Sequence, residues 1–238
     1  MKGLVISLFF TLAALNSLSA FSVILIDVPS YYHPNSLSGD YDLKFGDDWL
    51  STSIGYNFNT DSQNVFAEAR LIHLRGSGSV LSDPLNGYSS NFLDWVATGG
   101  VLYIDNLEGG MYLPDFNVNY SFGTTNNIKA PDISHELIIQ SGISWIHYTP
   151  GLNHTFSSVN LWGGDYTAIF NFYNNFNWST GTALAIRPYG EGNIIFSTGY
   201  FGASISEYAL SLSTIPEPSS YALLYGALAL GLVALRRR

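Results

Sequence analysis

The chain has 238 residues, 47% of them apolar and only 11% charged, and its 18 acidic and 9 basic residues leave a net charge of −9. Four of the basic residues, Lys2, Arg236, Arg237 and Arg238, sit at the two ends, so the acidic body would repel a phosphate backbone and no nucleic-acid partner is expected. The absence of cysteine removes disulfides, thiolate-bound metals, iron–sulfur clusters and thiol nucleophiles.

In chain order, Lys2 precedes a 12-residue apolar run at 4–15, and Leu18-Ser19-Ala20 supplies small residues before a cut after Ala20. This order of charge, apolar run and small residues predicts an export signal over 1–20. The mature body would then run over 21–213. It opens on FSVILIDVPS, a continuous apolar run closed by Pro29, which predicts a strand over 23–28 buried on both faces. GDYDLKFGDD places Asp40, Asp42, Asp47 and Asp48 together; a solvated acidic loop is expected, with calcium binding as the sharper alternative. The spacing does not fit the Asp-x-Asp-x-Asp-Gly loop.

ARLIHLRGS predicts a second strand over 69–74. Its Gly76 and Gly78 end on a turn, and Leu81 stands where a dinucleotide fingerprint needs a third glycine. Ser89 or Ser90 is expected to cap a helix over 90–98, with Phe92, Leu93, Trp95 and Val96 on its apolar face and Gly99-Gly100 ending it. VLYIDN follows as a strand over 101–106. Strand, helix and strand joined through glycines predict a βαβ unit and a parallel sheet. ISHELIIQSG predicts a short helix or turn. TALAIRPYGEGNIIFSTGY predicts a hairpin about Tyr189-Gly190-Glu191-Gly192. The aromatic-rich stretch between them is β-prone without a defined register.

The chain ends on Pro216-Glu217-Pro218, 17 uncharged residues over 219–235, and Arg236-Arg237-Arg238. As a helix the uncharged run spans about 25 Å, short of a hydrocarbon core of about 30 Å by a gap that a snorkelling arginine covers. The arginines would stay on the cytoplasmic side of the membrane. A single transmembrane helix within 214–238 is therefore expected.

Pro-Glu-Pro, apolar span and arginine cluster together resemble the PEP-CTERM sorting signal of Gram-negative bacteria. The resemblance implies that exosortase, a membrane transpeptidase-like enzyme, recognises Pro216, Glu217, Pro218, Arg236, Arg237 and Arg238 and cuts near the first three. It implies anchoring in the cytoplasmic membrane, then release to the cell envelope or outside, in a host that makes an exopolysaccharide matrix. The body's element order, with WVATGG before VLYIDN, then SHELIIQSGI and ALAIRPYGEGNIIFSTGYFG, resembles the class I glutamine amidotransferase-like fold. This implies a flavodoxin-like α/β layered architecture; a β-sandwich stays open as the alternative.

In catalytic members of that fold a Cys or Ser occupies the turn after the strand that VLYIDN resembles. Here the turn is DNLEGG over 105–110, with neither, and no His follows His154 for a late acid–base pair. No catalytic residue or cofactor is therefore assigned. Asp105 and Glu108 remain candidates for a cation or a sugar hydroxyl, against a solvated loop. His135-Glu136 lacks the second histidine of a His-Glu-x-x-His metal site, and the resemblance implies that His135 is a structural cap. His147 and His154 have no nearby carboxylate to complete a zinc site. Tyr112, Tyr166, Tyr173 and Trp178 are candidate sugar-stacking contacts among aromatics that mostly pack the core. The expected function is a non-catalytic envelope or exopolysaccharide-matrix component; the alternatives are a divergent hydrolase of envelope sugars or peptides and a glycan- or calcium-binding module.

Overall fold

The computed structural model describes residues 22–27, 37–52, 66, 69–76, 81, 85, 87–106, 112–113, 118–123, 127–143, 145–147, 156–161, 166–173, 179–197 and 202–216. Residues 1–20, where an export signal is expected, and the tail from Glu217 onward, where a transmembrane helix is expected, lie outside this set. Among the described residues no helix is long and apolar enough to cross a membrane.

Twelve strands among the described residues form one mixed sheet. Its parallel half contains β1 (Val23–Asp27), β2 (Trp49–Thr52), β3 (Leu71–Gly76) and β4 (Val101–Asn106) in the order β2-β1-β3-β4. The last strand, β12 (Gly192–Ser197), lies parallel to β4 and antiparallel to β11 (Ser179–Tyr189). Beyond β11 the path continues through β10 (Thr167–Tyr173), β7 (Asn127–Lys129) and β8 (Trp145–His147), every pair antiparallel. A branch of β9 (Phe156–Leu161), β6 (Val118–Gly123) and β5 (Tyr112–Leu113) leaves β11 through β9. The expected α/β class with a parallel sheet thus describes one half, and the antiparallel extension makes the whole mixed. The β-sandwich alternative is displaced, because helices rather than a second sheet cover both faces of the parallel strands.

Side chains alternate across a strand, so a run apolar at every position packs on both sides. On one face Ile24, Ile26, Ile72, Leu74, Leu102, Ile104, Ile194 and Phe196 form a core with Phe92, Trp95 and Val96 of α2 (Ser89–Ala97). On the other, Val23, Leu25, Leu71, Val101, Tyr103 and Ile195 pack with α1 (Ser38–Phe45), α3 (Glu136–Ser141) and α4 (Gly202–Ser211). The acidic run GDYDLKFGDD is therefore helical where a loop was expected. Tyr41 turns into the core, Asp42 accepts the Trp49 indole N–H at 3.1 Å, and Asp48 accepts the Ser22 backbone N–H at 2.9 Å. Its carboxylates are spread along a helix and its C-terminal turn, and among the described residues no three of them gather as metal ligands do.

The β11–β12 hairpin forms about Gly190, whose φ of +60° only glycine adopts freely. Its turn docks on the end of α2: the Glu191 N–H donates to the Ala97 carbonyl at 3.0 Å and the Asn193 N–H to the Gly100 carbonyl at 3.2 Å. Residues 213–215 reach the same place. The Thr214 N–H and the Ser213 hydroxyl both donate to the Gly99 carbonyl, at 3.1 and 3.0 Å, and Ile215 packs on the α2-side core. Thus the last residues before Pro216 are held by the body.

Candidate functional site

Register fixes which polar side chains meet. In the parallel half His73 pairs with Tyr103, and one step along, Arg75 pairs with Asp105 and Ser197 with Asp105. All five alternate onto the face covered by α1 and α4, at the carboxyl ends of the strands where sites of α/β sheets form. The helices add Tyr41 and Ser206. Tyr41, His73, Tyr103, Ser197 and Ser206 are fully buried, and Asp105 is 1% exposed.

The contacts form a continuous polar chain through this core. The Tyr41 hydroxyl makes a very short hydrogen bond to His73 Nδ1 and lies 2.5 Å from the Ser206 hydroxyl, itself 3.3 Å from Nδ1. His73 stacks on Tyr103, ring centroids 4.1 Å apart and 13° from parallel. The Ser197 hydroxyl donates to Asp105 Oδ1 at 2.5 Å and lies 3.1 Å from the Tyr103 hydroxyl. His73 Nε2 lies 3.6 Å from Asp105 Oδ2, a through-space attraction rather than a hydrogen bond, and Arg75 Nε lies 3.9 Å from the same oxygen. With the proton on Nε2, facing the carboxylate, Nδ1 is left to accept from Tyr41.

Burial pushes the Asp105 carboxyl up, but His73, Arg75 and Ser197 together outweigh it and hold the pKa below the ordinary carboxylate range. Tyr103 moves the other way: burial first, then the Asp105 charge, raise its phenol well above the usual value. The core therefore stores one negative charge beside groups that favour it.

A hydroxyl, an imidazole and a carboxylate in series are the elements of acyl-transfer catalysis. Here every one of them is buried. The arrangement ties two helices to the sheet and holds a buried carboxylate ionised. Asp105, for which a solvated loop was the plainer expectation, is interior because β4 continues through it to Asn106. Glu108 lies outside the described residues, as do His154 and Trp178. His135 caps α3, its Nδ1 accepting the Leu137 N–H at 3.2 Å, as the resemblance implied, and its ring meets Tyr208 edge-on. It stands apart from the Asp105 cluster on another element. Tyr166 is at the surface, and Tyr173 is half-buried with Lys129 Nζ 5.6 Å from its ring centre. Pro216 is exposed. Among the described residues no three His, Asp or Glu side chains gather as metal ligands do.

Sequence reasoning missed Tyr41, His73, Arg75, Tyr103, Ser197 and Ser206. One signal was available: His73 occupies a strand position whose neighbours in the run are all core, which marks a buried polar group in need of partners. Nothing near Ser206 in sequence marks it, because its partners are 165 and 133 residues away.

No family model matches the chain, and no curated protein matches it. Solved structures do. A cytoplasmic protein from Salmonella typhimurium LT2 is similar with a TM-score of 0.52 at 11% identity, over 82% of this chain and 99% of that one. A protein from Thermoplasma acidophilum assigned to GMP synthase gives 0.51 at 10% identity, over 88% and 98%. A beta-galactosidase from Rahnella sp. R3 gives 0.50 at 12% identity; it covers 83% of this chain, which spans 32% of that enzyme. These likenesses are of fold, and the second supports the glutamine amidotransferase-like resemblance.

Proposed function

We propose that this chain is an exported, non-catalytic component of the cell envelope or its exopolysaccharide matrix, built on a glutamine amidotransferase-like body. The observation that carries the non-catalytic part is Asp105. It begins the turn where the resemblance places a nucleophile, and its carboxylate is buried at 1% exposure, bonded to Ser197 and faced by His73 and Arg75. A group so enclosed stabilises the fold and meets no substrate. Export, anchoring in the cytoplasmic membrane and processing by exosortase rest on the two sequence ends alone, through Lys2 with its apolar run and through Pro216, Glu217, Pro218, Arg236, Arg237 and Arg238.

Two measurements test the proposal. Intact mass of the envelope form should show a protein lacking 1–20 and most of the tail after Ile215; an intact Arg238 in the mature pool overturns the processing. The purified body should not hydrolyse glutamine or activated esters above background. The divergent-hydrolase reading has one observation in its favour, the Ser206–His73–Asp105 series, and turnover abolished by Ser206→Ala would establish it in place of the first.

A further inference from the structure

The end of the described chain is held by two independent grips. The Thr214 N–H and Ser213 hydroxyl bond the Gly99 carbonyl, and the Thr214 hydroxyl lies 3.4 Å from the Glu191 carbonyl. The Ile215 N–H is taken up by the Ser213 hydroxyl at 3.3 Å, while its side chain packs on the core under α2. Gly99 is built for this contact. Its φ of +113° excludes side chains, and an added Cβ would collide with the Thr214 hydroxyl. Immediately beyond, Pro216 is exposed and has no N–H to bond.

We propose that residues 213–215 form a docked strap that sets the boundary of proteolytic release: folded protein yields its C-terminal segment only to cuts at or beyond the Ile215–Pro216 bond. A protease binds its substrate as an extended segment with free backbone groups. A segment whose Thr214 N–H, Ser213 hydroxyl and Ile215 side chain are engaged by the body must first open, so cleavage within it tracks the opening equilibrium. The strap also joins the loop after α4, on one face of the sheet, to the end of α2 on the other. Cleavage upstream of Ile215 would therefore release a contact that spans both layers. The boundary holds whichever enzyme cuts, so this inference goes beyond the sorting proposal and does not depend on it.

The test is limited proteolysis of the full chain in detergent with proteinase K, the C-terminus of the resistant core read by intact mass. The wild-type core should end at Ile215 or later. Gly99→Ala should move the end into 211–214, with cleavage there about tenfold faster from loss of the two bonds to the Gly99 carbonyl. Should Gly99→Ala fail to fold, judged by circular dichroism, Ile215→Ser removes only the apolar grip and should shift the cut the same way. A wild-type core trimmed to Thr214 or earlier, or cleavage within 213–215 as fast in wild type as in Ile215→Ser, overturns the proposal. A mature protein that retains Arg238 would sink exosortase processing while leaving this result intact.

Discussion

Asp105 shows how a buried charge is kept. Its carboxylate would be costly inside a core, and the cost is offset by Ser197 at 2.5 Å and by the cationic or polar groups His73 and Arg75. Removing the charge while keeping the shape should be costly, because Ser197, His73 and Arg75 are arranged for an anion. Asp105→Asn is expected to lower unfolding stability by about 3 kcal/mol, measured by urea titration. The pH dependence follows in sign. The folded-state pKa of Asp105 lies below its unfolded value of about 3.9, so the unfolded chain binds more protons there, and stability present above that pH is lost as pH falls through the folded value. Tyr103, raised by burial and by Asp105, contributes stability that is complete below about pH 10 and lost as pH climbs toward its folded value. Urea titrations across pH should show both limbs, and Asp105→Asn should shrink the acid one, leaving the share of Asp132, whose carboxyl is held below the ordinary range by hydrogen bonds from Ser134. Tyr41→Phe keeps the ring packing and deletes only the hydroxyl that joins His73 to Ser206; a loss of about 1–3 kcal/mol is expected in the same assay.

At the scale of elements, α2 carries the clearest case. Phe92, Trp95 and Val96 are buried against the sheet, Trp95 meets Phe66 with ring centroids 5.8 Å apart, and Gly100 leaves no room for a Cβ beside the indole. Trp95→Ala should cost about 3–5 kcal/mol by urea titration, with circular dichroism of the wild type showing helix beside strand. This element and its two flanking strands were legible from sequence, β4 to the residue and α2 within one at each end, because period and glycine punctuation agree there. The hairpin at Gly190 was legible for the same reason. The acidic run was misread: four carboxylates in ten residues resemble a solvated loop, while the feature that decides its state is Tyr41, whose partners His73 and Ser206 come from β3 and α4. No local pattern encodes such a contact. The Asp105 cluster was legible only as one carboxylate at a strand end, since its register against His73 and Ser197 exists only once β3, β4 and β12 are paired.

The whole molecule is a sheet with two characters, and the body's contacts run to Ile215. A chain ending at Ser213 lacks the Thr214 bond to Gly99 and the burial of Ile215. It should fold but unfold about 1–3 kcal/mol more easily than one ending at Pro216, measured by paired urea or thermal melts. Equal stability would show that the docked residues contribute nothing to the body.

The position of β12 has a kinetic consequence. Along the sheet it stands between β4, completed by residue 106, and β11, so the parallel half and the antiparallel half share no neighbour until this strand arrives. It is the last of the described strands to be synthesised, and Ser197 on it supplies the hydrogen bond that the Asp105 carboxylate requires. A chain emerging from its N-terminus therefore carries an open sheet edge, and an Asp105 without its Ser197 partner, until residue 197 is available. Under the export proposed above, that delay is useful: the architecture itself postpones completion of the fold until little of the body remains to be synthesised.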